Sequence, residues 1–141
     1  MENVRLKILS KRSQRMATAF KRIVNGIFES FPAPKELPKF LYVVANDENG
    51  KLIGALNADT QLGWLSIYGL WVDKKYRKAG VATKIMRAAE LEAKRRRCRR
   101  VLVSSLDFQA PGFYRKLGYK RYGVIRNYLK GYTMHFFEKT I

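Results

Sequence analysis

The sequence predicts a single α/β domain over residues 1–141, in which a mixed β-sheet packs against helices. Two apolar segments, 64–72 and 101–106, flank an amphipathic helical pattern, an order typical of a strand-helix-strand unit with parallel strands. Apolar runs on both sides of that unit are separated by turn residues, which indicates antiparallel hairpins. A length of 141 residues suits one compact domain, and 47% hydrophobic residues are enough to fill its core.

The amino-terminal third is predicted to form a strand, a helix and a loop. Residues 4–9 alternate apolar and basic side chains, as expected of a strand with one buried face. Ser10 or Ser13 then caps a basic helix, in which apolar residues recur at helical spacing as far as the late twenties. Three prolines within residues 31–38 end this helix and begin an irregular loop.

The middle of the chain is predicted to form the centre of the sheet. Residues 40–45 and 52–56 are apolar runs joined by turn residues, which predicts a hairpin. Residues 64–72 are almost continuously apolar, as expected of a central strand that is covered on both faces.

The last part of the chain is predicted to add two helices and three strands. The first helix has one apolar face, made by Ala82, Ile85, Met86, Ala89 and Ala93. Residues 101–106 form the strand parallel to 64–72, so a ligand site is expected at the ends of these two strands. Pro111 suits the first turn of a short helix and Gly118 its left-handed end, before a closing hairpin of residues 119–125 and 132–140.

Composition excludes several classes of function. No apolar run approaches the roughly 20 residues of a membrane-spanning helix, and the first residues lack a secretory apolar region, so we expect a cytoplasmic protein without membrane contact. Cys98 and His135 are the only cysteine and histidine, which leaves too few ligands for a zinc cluster or a disulfide. We therefore expect no metal, with Cys98 a small buried residue and His135 a packed or exposed side chain rather than a catalytic one.

The charge is strongly positive, and its meaning stays open. There are 29 lysines and arginines against 11 acidic residues, a formal net charge of +18, and residues 94–100 hold six cations in seven positions. Such a surface attracts polyanions, which raises RNA or the ribosome as a partner. The same charge also serves solubility, and the run 94–100 also suits the carboxyl end of a helix dipole.

A basic, glycine-containing loop is the most informative segment. Arg77-x-x-Gly80-x-Ala82 follows a buried strand and opens an amphipathic helix. The free N–H groups at a helix start, together with the positive end of its dipole, bind phosphate oxygens, and small residues let the backbone approach them. This context favours a pyrophosphate site over an ordinary turn.

Two motifs resemble the GCN5-related N-acetyltransferases, the GNAT superfamily. The loop Arg77-x-x-Gly80-x-Ala82 is similar to the coenzyme A pyrophosphate signature of that family, and residues 109–119 resemble its second hallmark, a short helix that carries a tyrosine and ends in glycine. The resemblance implies the GNAT fold, a mixed, mostly antiparallel sheet of six to seven strands with a central splayed parallel pair and helices on both faces. It also implies acetyl-CoA as cosubstrate and an amine as acceptor.

The resemblance assigns roles to individual residues. Backbone groups of Leu70, Trp71 and Val72 would pair with the pantetheine arm, and Tyr114 would protonate the departing thiolate. Gln109 stands where many relatives have an asparagine that contacts the pantetheine arm. The pyrophosphate would be held by Arg77, Lys78, Ala79, Gly80, Val81, Ala82 and Thr83.

The family's usual general base is missing. Many relatives place a glutamate on the central strand, but residues 64–72 contain no carboxylate. Asp59, Asp73 and Asp107 are candidates by position, and Tyr68, a backbone carbonyl or a water chain is an alternative. The sequence does not choose among them.

The sequence is consistent with two functions. The first is direct transfer of an acetyl group to a primary amine in a ternary complex, by a monomer or a homodimer, and the second is a noncatalytic RNA- or ribosome-binding domain on the same scaffold. The acceptor is not readable from the sequence. A surface this cationic should repel basic acceptors unless a local acidic pocket intervenes, so neutral amines or amines linked to an anion fit better.

Overall fold

The computed structural model describes residues 13–32 and 34–141. The chain divides into two compact units, one that ends at Leu37 and one that covers Pro38–Ile141. The strand predicted for residues 4–9 and the candidate cap Ser10 lie outside the described residues. None of the helices in the described part is both long enough and apolar enough to cross a lipid bilayer.

The first unit contains one helix, α1, over Gln14–Glu29. Its amino-terminal cap is Ser13, whose hydroxyl oxygen accepts the N–H of Met16 at 3.3 Å. A serine at this position satisfies one of the N–H groups that have no partner in the first helical turn. The helix therefore starts at the second of the two predicted caps and ends, as predicted, in the late twenties.

The second unit is built on one six-stranded sheet in the order β1-β2-β3-β4-β6-β5. The strands are β1 Lys39–Asn46, β2 Leu52–Gln61, β3 Trp64–Val72, β4 Arg100–Leu106, β5 Lys120–Leu129 and β6 Tyr132–Thr140. Only β3 and β4 are parallel, and every other neighbouring pair is antiparallel. The sheet is thus mixed and mostly antiparallel, with one parallel pair at its centre, as the sequence predicted.

Helix α2, Val81–Arg95, connects the two parallel strands and packs on β1, β2 and β3. Its buried face consists of Ile85, Met86, Ala89 and Ala93. Gly54 in β2 lets the helix come close, because a Cβ atom there would lie 2.7 Å from Cδ1 of Ile85. Glycine at this position therefore leaves room for the Ile85 side chain against β2.

A second helix, α3 over Pro111–Lys116, lies on the same face of the sheet as α2. The ring of Tyr114 in α3 packs against Phe137 in β6, with ring centroids 5.7 Å apart. Lys139, two residues further along β6 and on the same face, pairs with Glu90 of α2 at 3.0 Å. Phe137 is fully buried and belongs to the same hydrophobic core as the buried residues of both helices.

Two predictions about the strands are corrected. Strand β3 was expected to be covered on both faces, but Tyr68 and Trp71 are 65% and 46% exposed. Strands β2 and β5 extend beyond the predicted limits, to Gln61 and Leu129. In β2, pairing with β3 continues through polar residues that an apolar pattern does not register, and in β5, Leu129 pairs with Tyr132 after an irregularity.

The arginine run 94–100 is partly structural. The guanidinium of Arg96 pairs with Glu92 and donates to the carbonyl oxygens of Lys39 and Phe40 on the edge strand. Arg100 pairs with Glu138 at 2.8 Å and lies over the ring of Trp64. Arg96 therefore links α2 to the edge strand β1, and Arg100 links β4 to its neighbours β3 and β6.

Helices α2 and α3 end in the same backbone motif with different residues. In α3, the N–H groups of Gly118 and Tyr119 bond the carbonyls of Arg115 and Tyr114, and Gly118 has φ +87°. In α2 the equivalent bonds come from Arg97 and Cys98, and Arg97 takes the left-handed position with φ +64°. An arginine thus occupies a conformation that favours glycine.

Replacing Arg97 with glycine is expected to raise the free energy of unfolding by about 0.5–1 kcal/mol, because left-handed strain of roughly 1–2 kcal/mol is relieved and part is offset by glycine's larger unfolded-state entropy. Urea denaturation measures the change. Arg95→Gly is the matched control, since it removes the same charge within the helix, where glycine lowers stability by about 0.5–1 kcal/mol. An Arg97→Gly variant no more stable than the parent contradicts the assignment.

Candidate active site

The two parallel strands separate halfway along their length. Pairing between β3 and β4 runs from Trp64 with Arg100 to Ile67 with Val103 and stops there, although both strands continue. The cause lies in a β-bulge on β3: Gly69 pairs with Asn57 and Ile67 with Ala58, which leaves Tyr68 without a partner on β2. A bulge bends its strand and increases its twist, so the remainder of β3 turns away from β4.

The separation opens a cleft of about 960 Å³ between the strand ends and helices α2 and α3. It contains every residue that the sequence assigned to the site except Ala79. The predicted residues that line it are Leu70, Trp71, Val72, Arg77, Lys78, Gly80, Val81, Ala82, Thr83, Gln109 and Tyr114. The fold thus brings together segments of β3, the basic loop and α3 that are up to 44 residues apart in sequence.

The loop between β3 and α2 is a backbone cradle for an anion. Lys78 and Gly80 both have left-handed backbone angles, with φ +62° and +80°. No side chain caps the start of α2, so the first N–H groups of this helix point into the loop without a side-chain partner. Left-handed residues beside a helix start form an N–H concavity that binds phosphate oxygens.

Side chains hold this loop in place. Asp73 accepts the N–H of Lys75 at 2.9 Å, and the hydroxyl of Tyr76 donates to Asp47 at 3.1 Å. The Nε of Arg77 donates to the carbonyl oxygen of Val72 at 3.1 Å. The side chain of Arg77 therefore holds the loop against the end of β3. The carbonyl oxygen of Val72 already accepts this bond, so the N–H of Val72 is its more available group for a ligand.

Tyr114 is the buried tyrosine of the cleft. Only 7% of it is exposed, and its ring is packed among Phe113, Tyr119 and Phe137. Its hydroxyl has no hydrogen-bond partner among the described residues, and burial raises the pKa of Tyr114 above its ordinary value. The hydroxyl is therefore protonated at neutral pH and available to a ligand in the cleft.

Gln109 serves the protein as well as the cleft. Its side-chain oxygen accepts the N–H of Leu106 at 2.9 Å and so closes the turn after β4. Only its amide N–H groups remain to donate to a ligand. The asparagine-like contact predicted for Gln109 is thus limited to donation.

The cleft also contains residues that the sequence prediction did not single out. Ser104 at the free end of β4 faces the splayed part of β3, while Phe108 and Lys116 line the side formed by α3 and the turn before it. The polar pair Ser104-Ser105, within the otherwise apolar segment 101–106, could have indicated that this part of β4 lines the cleft. Nothing in the sequence indicated that Phe108 and Lys116 line the cleft, because their positions depend on the conformation of the turn between β4 and α3.

The three aspartates proposed as bases have different surroundings. Asp73 caps the loop, and Asp107 bonds the ring Nε2 of His135 and the N–H of Thr133. Asp59 on β2 accepts the hydroxyl of Tyr68 at 2.8 Å, and Tyr68 lines the cleft. Among these carboxylates, Asp59 is the one connected to the cleft by a side chain that lines it.

The two remaining residues are packed in the described chain, as predicted for Cys98 and as one of the two alternatives for His135. Cys98 is buried after α2, and His135 is buried against Phe137 and Asp107. Over residues 13–32 and 34–141, no group of three or more histidine, cysteine or acidic side chains is arranged to hold a metal ion.

A splayed parallel pair with an anion cradle and a buried tyrosine at one cleft defines an acyltransferase fold. Residues 13–119 match the Acetyltransferase (GNAT) family. The chain belongs to this family and is an N-acetyltransferase.

Individual relatives agree with that membership. The chain is 36% identical over 112 residues to blasticidin-S acetyltransferase of Streptomyces morookaense, covering 78% of this chain and 82% of the relative. An acetyltransferase from Bacillus cereus has the same fold, with a TM-score of 0.81, 31% identity and coverage of 96% and 98% of the two chains. A Bacillus anthracis acetyltransferase bound to acetyl-coenzyme A is more distant, at 20% identity and a TM-score of 0.66, with 81% and 67% covered.

Asp107 should support the turn that follows β4 in a pH-dependent way. Hydrogen bonds from His135 and then from the Thr133 N–H lower the pKa of Asp107. A carboxyl group with a lowered folded-state pKa stabilises the fold above its unfolded pKa of about 3.9, and this contribution is lost as the pH falls through the folded pKa.

Asp107→Asn is therefore expected to lower the free energy of unfolding at neutral pH and to lose less stability than the parent between neutral and strongly acidic pH. Urea denaturation at both pH values measures this. Glu48→Gln, in the β1–β2 turn, removes one acidic charge at a residue without a hydrogen bond or ion pair among the described residues and is the control. Equal acid sensitivity in Asp107→Asn and the parent contradicts the role.

Proposed function

We propose that the chain transfers an acetyl group from acetyl-CoA to a primary amine by direct attack in a ternary complex, with Tyr114 as general acid. The observation that carries this proposal is the Tyr114 hydroxyl, which lines the same cleft as the anion cradle and has no partner among the described residues. Membership in the acetyltransferase family supports the class of reaction.

The acyl donor fits the cleft by its chemistry. Its pyrophosphate would lie on the N–H groups of residues 78–83, where Lys78 and Gly80 hold the backbone open. Its extended amide-containing arm would pair with the unpaired edge of β3 on either side of Trp71, at the backbone groups of Leu70 and Val72 that point away from β2. A cleft of about 960 Å³ is of the size that takes a ligand this large.

The protein's own groups supply the two polar requirements of acyl transfer. As the amine nitrogen bonds the thioester carbon, a backbone N–H of β3 near Trp71 or Val72 stabilises the negative carbonyl oxygen. The carbon–sulfur bond then breaks, and the Tyr114 hydroxyl gives its proton to the departing sulfur. Solvent returns a proton to Tyr114 after the product leaves.

The acceptor is sought first among the substrates of relatives. One relative is a blasticidin-S acetyltransferase by name, so blasticidin S is the first probe. A mass-spectrometric screen with acetyl-CoA should also include free amino acids, peptides, polyamines and aminoacyl-tRNA. An addition of one acetyl group to any of these, dependent on the protein, identifies the acceptor class.

Gly80→Glu is expected to weaken acetyl-CoA binding at least tenfold, because a carboxylate and a side chain enter the phosphate cradle. Gly50→Glu is the matched control, since Gly50 has φ +79° against +80° for Gly80 and both have open space around the missing Cβ. The two variants share the backbone strain and the added charge. Titration calorimetry that finds equal acetyl-CoA affinity for both folded variants contradicts the loop assignment.

Tyr114→Phe is expected to lower kcat by roughly 10²–10⁴-fold with little change in acetyl-CoA affinity, since it removes the proton donor and keeps the ring. Tyr119→Phe is the control, because this tyrosine is equally buried but donates to Glu90 instead of a ligand. Single-turnover kinetics isolate the chemical step. An unchanged single-turnover rate in Tyr114→Phe removes the residue from the mechanism.

A further inference from the structure

Most acidic side chains of the second unit are engaged in supporting the fold. The exceptions are Glu48 and Asp59, and of these two Asp59 bonds a residue that lines the cleft. Ion pairs to lysine, arginine or histidine occupy Glu90, Glu92, Asp107 and Glu138. Asp47 and Asp73 accept backbone N–H groups in turns. Asp59 forms no ion pair among the described residues, and its hydrogen-bond partner there is the neutral hydroxyl of Tyr68.

Asp59 is connected to the cleft through Tyr68. Asp59 pairs with Ser66 in the register of β2 and β3, so its side chain shares the open face of the sheet with that of Trp71 further along β3. The bulge at Tyr68 turns the Tyr68 ring along this face and lets its hydroxyl reach the carboxylate at 2.8 Å. Tyr68 and Trp71 are both strongly exposed and both line the cleft.

We propose that Asp59, held in place by Tyr68, binds the ammonium form of the acceptor and draws a cationic primary amine to the cleft. This inference rests on the acetyl transfer proposed above and names its substrate class. A carboxylate beside an exposed aromatic ring, here that of Tyr68, recognises organic ammonium ions through an ion pair and contact with the ring face.

The proposal resolves a conflict posed by the net charge. A surface with a formal charge of +18 repels cationic amines in general. Asp59 supplies the local negative charge that such a substrate needs, and it forms no ion pair with a cation of the described chain. Tyr68 remains a hydrogen-bond donor to it, because desolvation and the bond to Asp59 raise the pKa of Tyr68.

The same carboxylate completes the proton balance of the transfer. The bound ammonium loses one proton to solvent, and the neutral nitrogen attacks the thioester carbon. The nitrogen of the resulting adduct is positively charged and acidic, and its second proton passes through water in the cleft to Asp59 as the carbon–sulfur bond breaks. Tyr114 protonates the sulfur, and Asp59 releases its proton to solvent.

The test uses three probe amines with saturating acetyl-CoA and measures coenzyme A release. Benzylamine and spermidine are cationic at neutral pH, whereas aniline is neutral. The variants are Asp59→Asn, Asp59→Glu, Tyr68→Phe and the control Glu48→Gln, which changes the net charge by the same amount as Asp59→Asn. Acetyl-CoA affinity is measured separately by calorimetry for every variant.

We expect the parent to prefer the cationic probes and Asp59→Asn to raise their KM by roughly tenfold to a hundredfold, as for the loss of a charged hydrogen bond. Acetyl-CoA affinity and the KM for aniline should stay unchanged. Tyr68→Phe should raise the KM less, Asp59→Glu should restore part of the preference, and Glu48→Gln should match the parent.

Two kinds of failure are distinguishable. If acetyl-CoA binds and the cationic probes are acetylated with the same KM by Asp59→Asn and Glu48→Gln, the role of Asp59 is wrong and the acetyl transfer stands. The role of Asp59 is also overturned if the parent enzyme binds acetyl-CoA but acetylates neither benzylamine nor spermidine, whether or not it acetylates aniline. Absence of acetyl-CoA binding by the folded parent overturns the proposed function itself.

Discussion

The loss of pairing between β3 and β4 after Ile67 and Val103 is the constraint on which the site depends. Backbone N–H and C=O groups in a sheet require partners, and the ends of these central strands no longer provide them for each other. A ligand with its own amide groups can take the place of the missing strand. The single extra residue Tyr68 causes the separation, because it changes the register of β3 against β2 without disturbing the parallel pairing before it.

The basic loop and α3 are positioned by that separation. Helix α2 begins directly after the loop and is pressed onto β2 at Gly54, so the helix start and its free N–H groups lie against the opened strands. Helix α3 follows β4 and directs Tyr114 toward the same opening while its ring joins the core. The proposed phosphate recognition and proton donation thus depend on elements that pack against the core, as an accurate site requires.

The structure assigns specific positions to several of the positive charges that the composition only counts. Part of it is structural, since Arg96 and Arg100 join helix and strand to the sheet and Lys139 pairs with Glu90 beneath α3. Another part surrounds the phosphate cradle, where Lys78 and Lys116 line the cleft. Against this background Asp59, a carboxylate that bonds the cleft-lining Tyr68 and forms no ion pair among the described residues, marks a different chemical environment on β2.

The sequence alone determined the order of the elements, the parallel pair, the glycine-containing loop before α2 and the short helix that carries Tyr114, because apolar periodicity and left-handed glycines are local properties of the chain. It did not reveal that β3 is open on one face, that Gln109 and Arg77 turn back onto the backbone, or which of three aspartates meets the cleft. These features follow from the register between strands and from contacts between distant residues. Asp59 and Tyr68 are nine residues apart, and only the bulge that shifts β3 by one residue puts the hydroxyl of one against the carboxylate of the other.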